Sequence, residues 1–172
     1  MQRREFLAGG GLFAASAAWP VHAMAMAPAP LIVLFDGRAP EARRFAQVLR
    51  RQGAAAFDIE ADMARLWYGA LRRGSSQGRR VRIAGLASWA DFVVARGCAM
   101  EAGFTLTHHA VHDLAGPSHK VIRSDRASVE ATLAAAEAAW PEALASLMAG
   151  LPAPSARVRA TRSGTLASWA IS

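Results

Sequence analysis

The sequence predicts an α/β domain: three layers, with a mainly parallel sheet of about 4–6 strands and helices on both faces. Three observations carry this. Leu31-Ile-Val-Leu-Phe35 is a continuous apolar run, the pattern of a strand buried on both sides. Apolar residues at helical spacing follow it and recur between further short apolar runs. The resulting order, strand and helix in alternation, is that of right-handed crossovers onto a parallel sheet.

Each element has its own warrant. After the first strand, residues 39–52 place Ala42, Phe45, Val48 and Leu49 on one helical face and Arg43, Arg44, Arg50 and Arg51 on the other, and Gly53 stops the helix. Ala54–Phe57 reads as a second strand, followed by a helix over about 60–73 marked by Met63, Leu66, Trp67 and Ala70. Val81–Ala84 is a third strand. Ser88-Trp-Ala-Asp91 has the form of a capping box opening a helix that ends at Gly103. Phe104–Val111 reads as a fourth strand and His119–Ile122 as a fifth, with Ala115-Gly116-Pro117 turning between them. A long helix over about 127–149 contains Pro141, which predicts a kink or two helices meeting at Trp140. Residues 151–172 read as a linker and a closing strand on the same domain, which spans 24–150. Leu86-Ala-Ser-Trp-Ala90 recurs as Leu166-Ala-Ser-Trp-Ala170; the flanking residues do not align, so this is coincidence in an Ala-rich chain rather than a repeat.

The N-terminus carries a different pattern. Met1-Gln-Arg-Arg-Glu-Phe-Leu7 resembles the twin-arginine (Tat) export consensus, with a mild apolar stretch behind it and Val21-His22-Ala23 as a small-x-small cleavage site. Ala25-Met26-Ala27 is a second candidate. Gly9, Gly10, Gly11, Ser16, Pro20 and His22 interrupt the apolar run, so no stable membrane anchor is expected from a segment that would need ~20 apolar residues. Residues 1–23 are therefore expected to be a cleaved signal peptide. The resemblance implies the Tat translocon as a partner, delivery of an already folded domain to the periplasm, and a cofactor or co-exported partner as the reason for folding first. As a whole the chain resembles small proteobacterial Tat-signal proteins of the periplasm, a grouping that implies export and no particular activity.

Composition sets the remaining bounds. Apolar residues make up 53% and charged residues 19%, which argues for a packed fold over disorder. Beyond residue 23 the chain keeps 18 basic and 12 acidic residues, and all but one of the basic residues are Arg. Outside the cytoplasm such a balance favours anionic lipid, solutes or acidic partners, and no nucleic-acid partner is expected. The single Cys98 cannot form an internal disulfide and sits in an apolar run, so it reads as a buried, inert thiol.

Two groups of residues could carry function. Ligands of open parallel sheets bind beyond the carboxyl ends of the strands. There the sequence places Asp36, Arg38, Asp58 and Ser88, with Glu60 and Asp62 nearby and His108 from the fourth strand. Carboxylates suit an amine or a sugar hydroxyl; Arg38 suits a carboxylate or phosphate. Asp62 has a plain alternative role as a helix cap. No G-x-G-x-x-G, P-loop or G-x-S-x-G motif accompanies them. The second group is His108, His109, His112 and His119, four imidazoles within twelve residues, a donor set that suits zinc or copper. Strand alternation puts His108 and His112 on one face and His109 on the other, and a turn at 114–118 would bring His119 back toward His112. Arg72, Arg73, Arg79, Arg80 and Arg82 surround a polar loop, and Trp67, Trp89 and Trp140 fall at helical core positions.

The expected function is non-enzymatic binding of a small polar ligand, or service as an accessory subunit of a co-exported oxidoreductase. A zinc or copper protein using the histidines, or a hydrolase using Asp36 and Asp58, are the alternatives. Whether the chain is an enzyme is left open.

Overall fold

A computed structural model describes residues 29–59, 62–68, 81–116, 118–152 and 164–172. The expected signal peptide, Glu60, Arg72, Arg73, Arg79, Arg80 and most of the 151–162 linker lie outside the described residues. The elements in chain order are β1 (Leu31–Phe35), α1 (Pro40–Arg51), β2 (Ala55–Asp58), α2 (Met63–Leu66), β3 (Arg82–Ala87), α3 (Trp89–Glu101), β4 (Leu106–Asp113), β5 (Ser118–Ser124), α4 (Val129–Ala136), a 3-10 turn (Glu137–Ala139), α5 (Trp140–Ala149) and β6 (Thr165–Ile171). Among the described residues no helix is long and apolar enough to cross a membrane.

One six-stranded sheet runs through the domain in the order β2-β1-β3-β6-β4-β5. β1 lies between β2 and β3 and is parallel to both. The other three pairings, β3–β6, β6–β4 and β4–β5, are antiparallel. The sheet is mixed, which corrects the expectation of a mainly parallel one. Two causes account for it. The turn after β4 is only a few residues long, and a parallel return needs a crossover of a dozen or more. The α3 crossover does leave β4 running the same way as β3, since both oppose β6, but one strand-width away. β6 fills that gap and so lies in the interior of the sheet.

The pleat sends neighbouring residues to two separate apolar clusters. Val33, Phe35, Ala84, Leu86 and Leu166 join Phe45 and Leu49 of α1, Leu133 of α4 and Trp140 and Leu144 of α5. Leu34, Ile83, Ala87, Ala167 and Trp169 join Met63 of α2 and Phe92, Ala95 and Cys98 of α3. Arg44, read as water-facing, is half-buried instead: its guanidinium grips both carboxylate oxygens of Glu142 at 2.6 Å, tying α1 to α5. Pro141 sits in the first turn of α5, where its missing N–H costs nothing. The long helix is thus two helices meeting at Trp140.

Ser88 caps α3 as expected, accepting from the Asp91 amide at 3.2 Å. The reciprocal bond differs from a capping box. The Asp91 carboxylate takes the Ser88 hydroxyl itself at 2.6 Å, Asp being shorter than the Glu that reaches a backbone N–H.

Candidate functional site

The carboxyl ends of β1, β2 and β3 gather most of the expected ligand residues. Asp36 follows β1, and its amide donates to the Leu86 carbonyl on β3. Arg38 folds back on Asp36, donating from Nε at 2.8 Å, from Nη2 at 3.0 Å and from its own amide at 3.0 Å. That hydrogen bonding holds the Asp36 carboxyl below the usual carboxylate range, against the opposing effect of burial. The Arg38 side chain is nevertheless 69% exposed, and Asp91 and Asp58 add to the field it feels. Asp58, at the end of β2, accepts from the Gly37 amide at 3.0 Å. A Cβ at Gly37 would push the Asp58 carboxylate out of this position. Asp62 is spent as the α2 cap, accepting from Arg65 at 2.8 Å.

This is also the place where the chain reverses its winding. β1 leads through α1, packed in the first apolar cluster, to β2 on one side. The chain then passes through α2, packed in the second cluster, to β3 on the other. Crevices outside the strand ends at such a switch point are the habitual ligand sites of open α/β sheets. A concavity lined by Leu31, Leu49, Gln52, Arg82, Ala149 and Leu151 opens at the opposite, amino ends of β1 and β3. Arg82, the sole charge among those residues, shares it with the C-terminal turns of α1 and α5, whose dipoles favour a cation.

His108 does not join the strand-end group. It pairs with Ala170, which in turn pairs with Ala84 near the start of β3. It belongs to a buried chain of polar side chains instead. Ser168, fully enclosed on β6, lies 3.0 Å from His108 Nε2 and 2.7 Å from His112 Nε2. His112 Nδ1 lies 2.9 Å from His119 Nδ1 on β5. Trp140, placed by the Pro141 break, stacks on His112 with ring centroids 4.4 Å apart and leans on His119 at 5.1 Å. The expected approach of His119 to His112 is present, since the two residues pair directly across the hairpin.

The four histidines are not brought together. His109 points to the other side of the sheet, where it stacks on Phe92 at 4.2 Å and lies 5.5 Å from Trp89. Among the described residues no group of three or more His, Cys, Asp or Glu is arranged to hold a metal. His112 and His119 turn their Nδ1 atoms on each other.

Burial governs the electrostatics of the chain. It lowers the His108 pKa to about 4, pushes His112 well below the ordinary value, and lowers His119 and His109. All are neutral at pH 7, so each offers one donor and one acceptor. His119 Nε2 is buried without a partner among the described residues. Leaving a lone pair there rather than an N–H orders the whole chain. His119 Nδ1 donates to His112 Nδ1, His112 Nε2 donates to Ser168, and Ser168 donates to His108 Nε2. The Ser168–His112–His119 spacing has the form of a hydroxyl activated by an oriented base. Complete enclosure of the hydroxyl keeps any substrate from it, so in this conformation the chain is a structural core.

Sequence reasoning missed Ser168, because only the pairing of β6 with β4 brings it beside the histidines. It also misplaced Trp89, which is 50% exposed. Cys98 is buried, and burial raises its thiol pKa, in keeping with an inert role. No protein family, no curated protein and no solved structure matches the chain.

Proposed function

We propose that this chain is a Tat-exported periplasmic protein with a three-layer α/β fold that binds a small polar ligand without chemistry on it. The ligand sits at the carboxyl ends of β1 and β3. One observation carries this reading: the Asp36–Arg38 pair and Asp58, joined through the Gly37 amide, stand at the carboxyl ends of β1 and β2 at the switch point of the sheet, with Ser88 just past the end of β3. The exposed edge of Arg38 suits a carboxylate or phosphate. The surrounding carboxylates of Asp36 and Asp58 suit hydroxyl or ammonium groups on the same molecule. A free amino acid, a sugar acid or a sugar phosphate has both. Export is supported by Arg3-Arg4 before Phe6-Leu7 and a small-x-small site at 21–23.

The test is a thermal-shift and calorimetric screen of the purified protein against those three solute classes, repeated with Arg38→Ala. One class should raise the melting temperature of the wild type, and Arg38→Ala should weaken its binding by roughly tenfold or more, the worth of a charge-assisted pair. A screen with no binder in any class, or a binder indifferent to Arg38, refutes the site.

A further inference from the structure

Helix α3 carries apolar residues on its solvent side as well as on its buried side. Phe92, Ala95, Cys98 and Ala99 are buried against the sheet. The opposite face leaves Trp89 50%, Val93 51%, Val94 42% and Met100 61% exposed. This concentration of exposed apolar side chains on one helix exceeds the scattered single residues normal at a surface. A Cβ built at Gly97, on the same face, meets nothing within 4 Å among the described residues.

We infer that this face of α3 is the seam of a homodimer in which two copies of the helix pack side by side and parallel. The pattern of the helix itself selects a second copy. With Ala90 and Gly97 at heptad position a and Val93 and Met100 at position d, Arg96 falls at g and Glu101 at the following e. In a parallel pair, g of one helix meets the e five residues on in its partner. Arg96 of each copy therefore meets Glu101 of the other, twice across the two-fold axis. An antiparallel pair sets g beside g and e beside e, so Arg96 and Glu101 would not meet. The small residues Ala90 and Gly97 let the two backbones come close, and Val93 and Met100 fill the seam. The surface is thus self-complementary in shape and in charge, as an isologous interface must be.

Sedimentation equilibrium of the purified protein should give a dimer. Arg96→Glu or Glu101→Arg alone should each weaken dimerisation by roughly tenfold, and the double exchange should restore it, since opposite charges again face each other. Gly97→Cys should cross-link to a covalent dimer on mild oxidation, because a residues face each other across a parallel seam. The wild type should not, its only thiol being the buried Cys98. Val93→Glu, at an exposed position, should yield a folded monomer. A wild type that stays monomeric at ~100 µM, a concentration that would populate a dimer of micromolar affinity, overturns the inference. So does a Gly97→Cys protein that does not cross-link, or a dimer unmoved by Val93→Glu and by both charge reversals.

Discussion

His112 and His119, directly opposite on the β4–β5 hairpin, share a hydrogen bond between their Nδ1 atoms at 2.9 Å under the indole of Trp140. Neutral imidazoles can do this in only one way at a time: one nitrogen gives its proton and the other receives it. The direction chosen there fixes the tautomer of His112, hence the rotor of Ser168, hence the tautomer of His108. Four side chains from three strands act as one ordered unit, and disturbing any member disturbs the rest.

Ser168→Ala is the sharpest probe of that unit. Alanine fits the space but leaves His108 Nε2 and His112 Nε2 without the hydroxyl between them. An unsatisfied buried polar group costs about 1–3 kcal/mol, so the variant should lose ~2–4 kcal/mol in urea unfolding. A loss below ~0.5 kcal/mol would mean that the hydroxyl is not a bridge.

The buried histidines also set an acid limit. Their folded pKa values lie below the unfolded value of about 6.5, with His108 near 4. Above pH 6.5 neither state binds the proton and the groups are silent. Below it the unfolded chain binds protons that the folded chain refuses, so stability falls as the pH drops. His108 alone accounts for a loss on the order of 3 kcal/mol between pH 6.5 and 4. His112, which burial also holds well below its ordinary value, should add to the loss. Urea midpoints from pH 7.5 down to 4 should decline steadily below 6.5. In His108→Gln the decline should be shallower. A midpoint flat over this range would contradict the buried, neutral assignment.

Gly85→Ala should fail for a different reason. Trp169 lies across Gly85 on the neighbouring strand, and a Cβ there would stand 2.1 Å from the indole ring. Neither the sheet backbone nor the enclosed ring has room to yield, so the variant should lose at least ~2 kcal/mol, as overpacked cores do. Its tryptophan emission should shift as Trp169 is displaced. Unchanged stability and emission would show that the ring moves freely.

Local features of the fold are legible in the sequence and long-range ones are not. The run 31–35, the Ser88 cap, the Gly103 stop and the break at Pro141 are each written within a few residues, and each is found where expected. Strand alternation likewise separated His109 from His108 and His112. Which strands would be neighbours was not legible, because pairing depends on segments far apart in the chain. The twin pentapeptides make the point. Leu86-Ala-Ser-Trp-Ala90 ends a strand and starts a helix, while Leu166-Ala-Ser-Trp-Ala170 stays extended throughout, and Ala87 pairs with Ala167. Asp91 stands three residues after Ser88 to complete a cap. Three residues after Ser168 stands Ile171, which offers the hydroxyl nothing, and the histidines of β4 claim it instead.

The interior place of β6 bears on how the chain is made. A ribosome delivers residues in order, so β3 and β4 emerge long before residues 165–171. Until those residues arrive, the two strands face a vacant slot with unpaired backbone on both rims, a template for pairing with other chains. The serine that links the histidines and the indole that covers Gly85 arrive with that same strand. Nascent chains of this protein should therefore acquire their protease resistance in one late step, when β6 seats, and should need shielding until then.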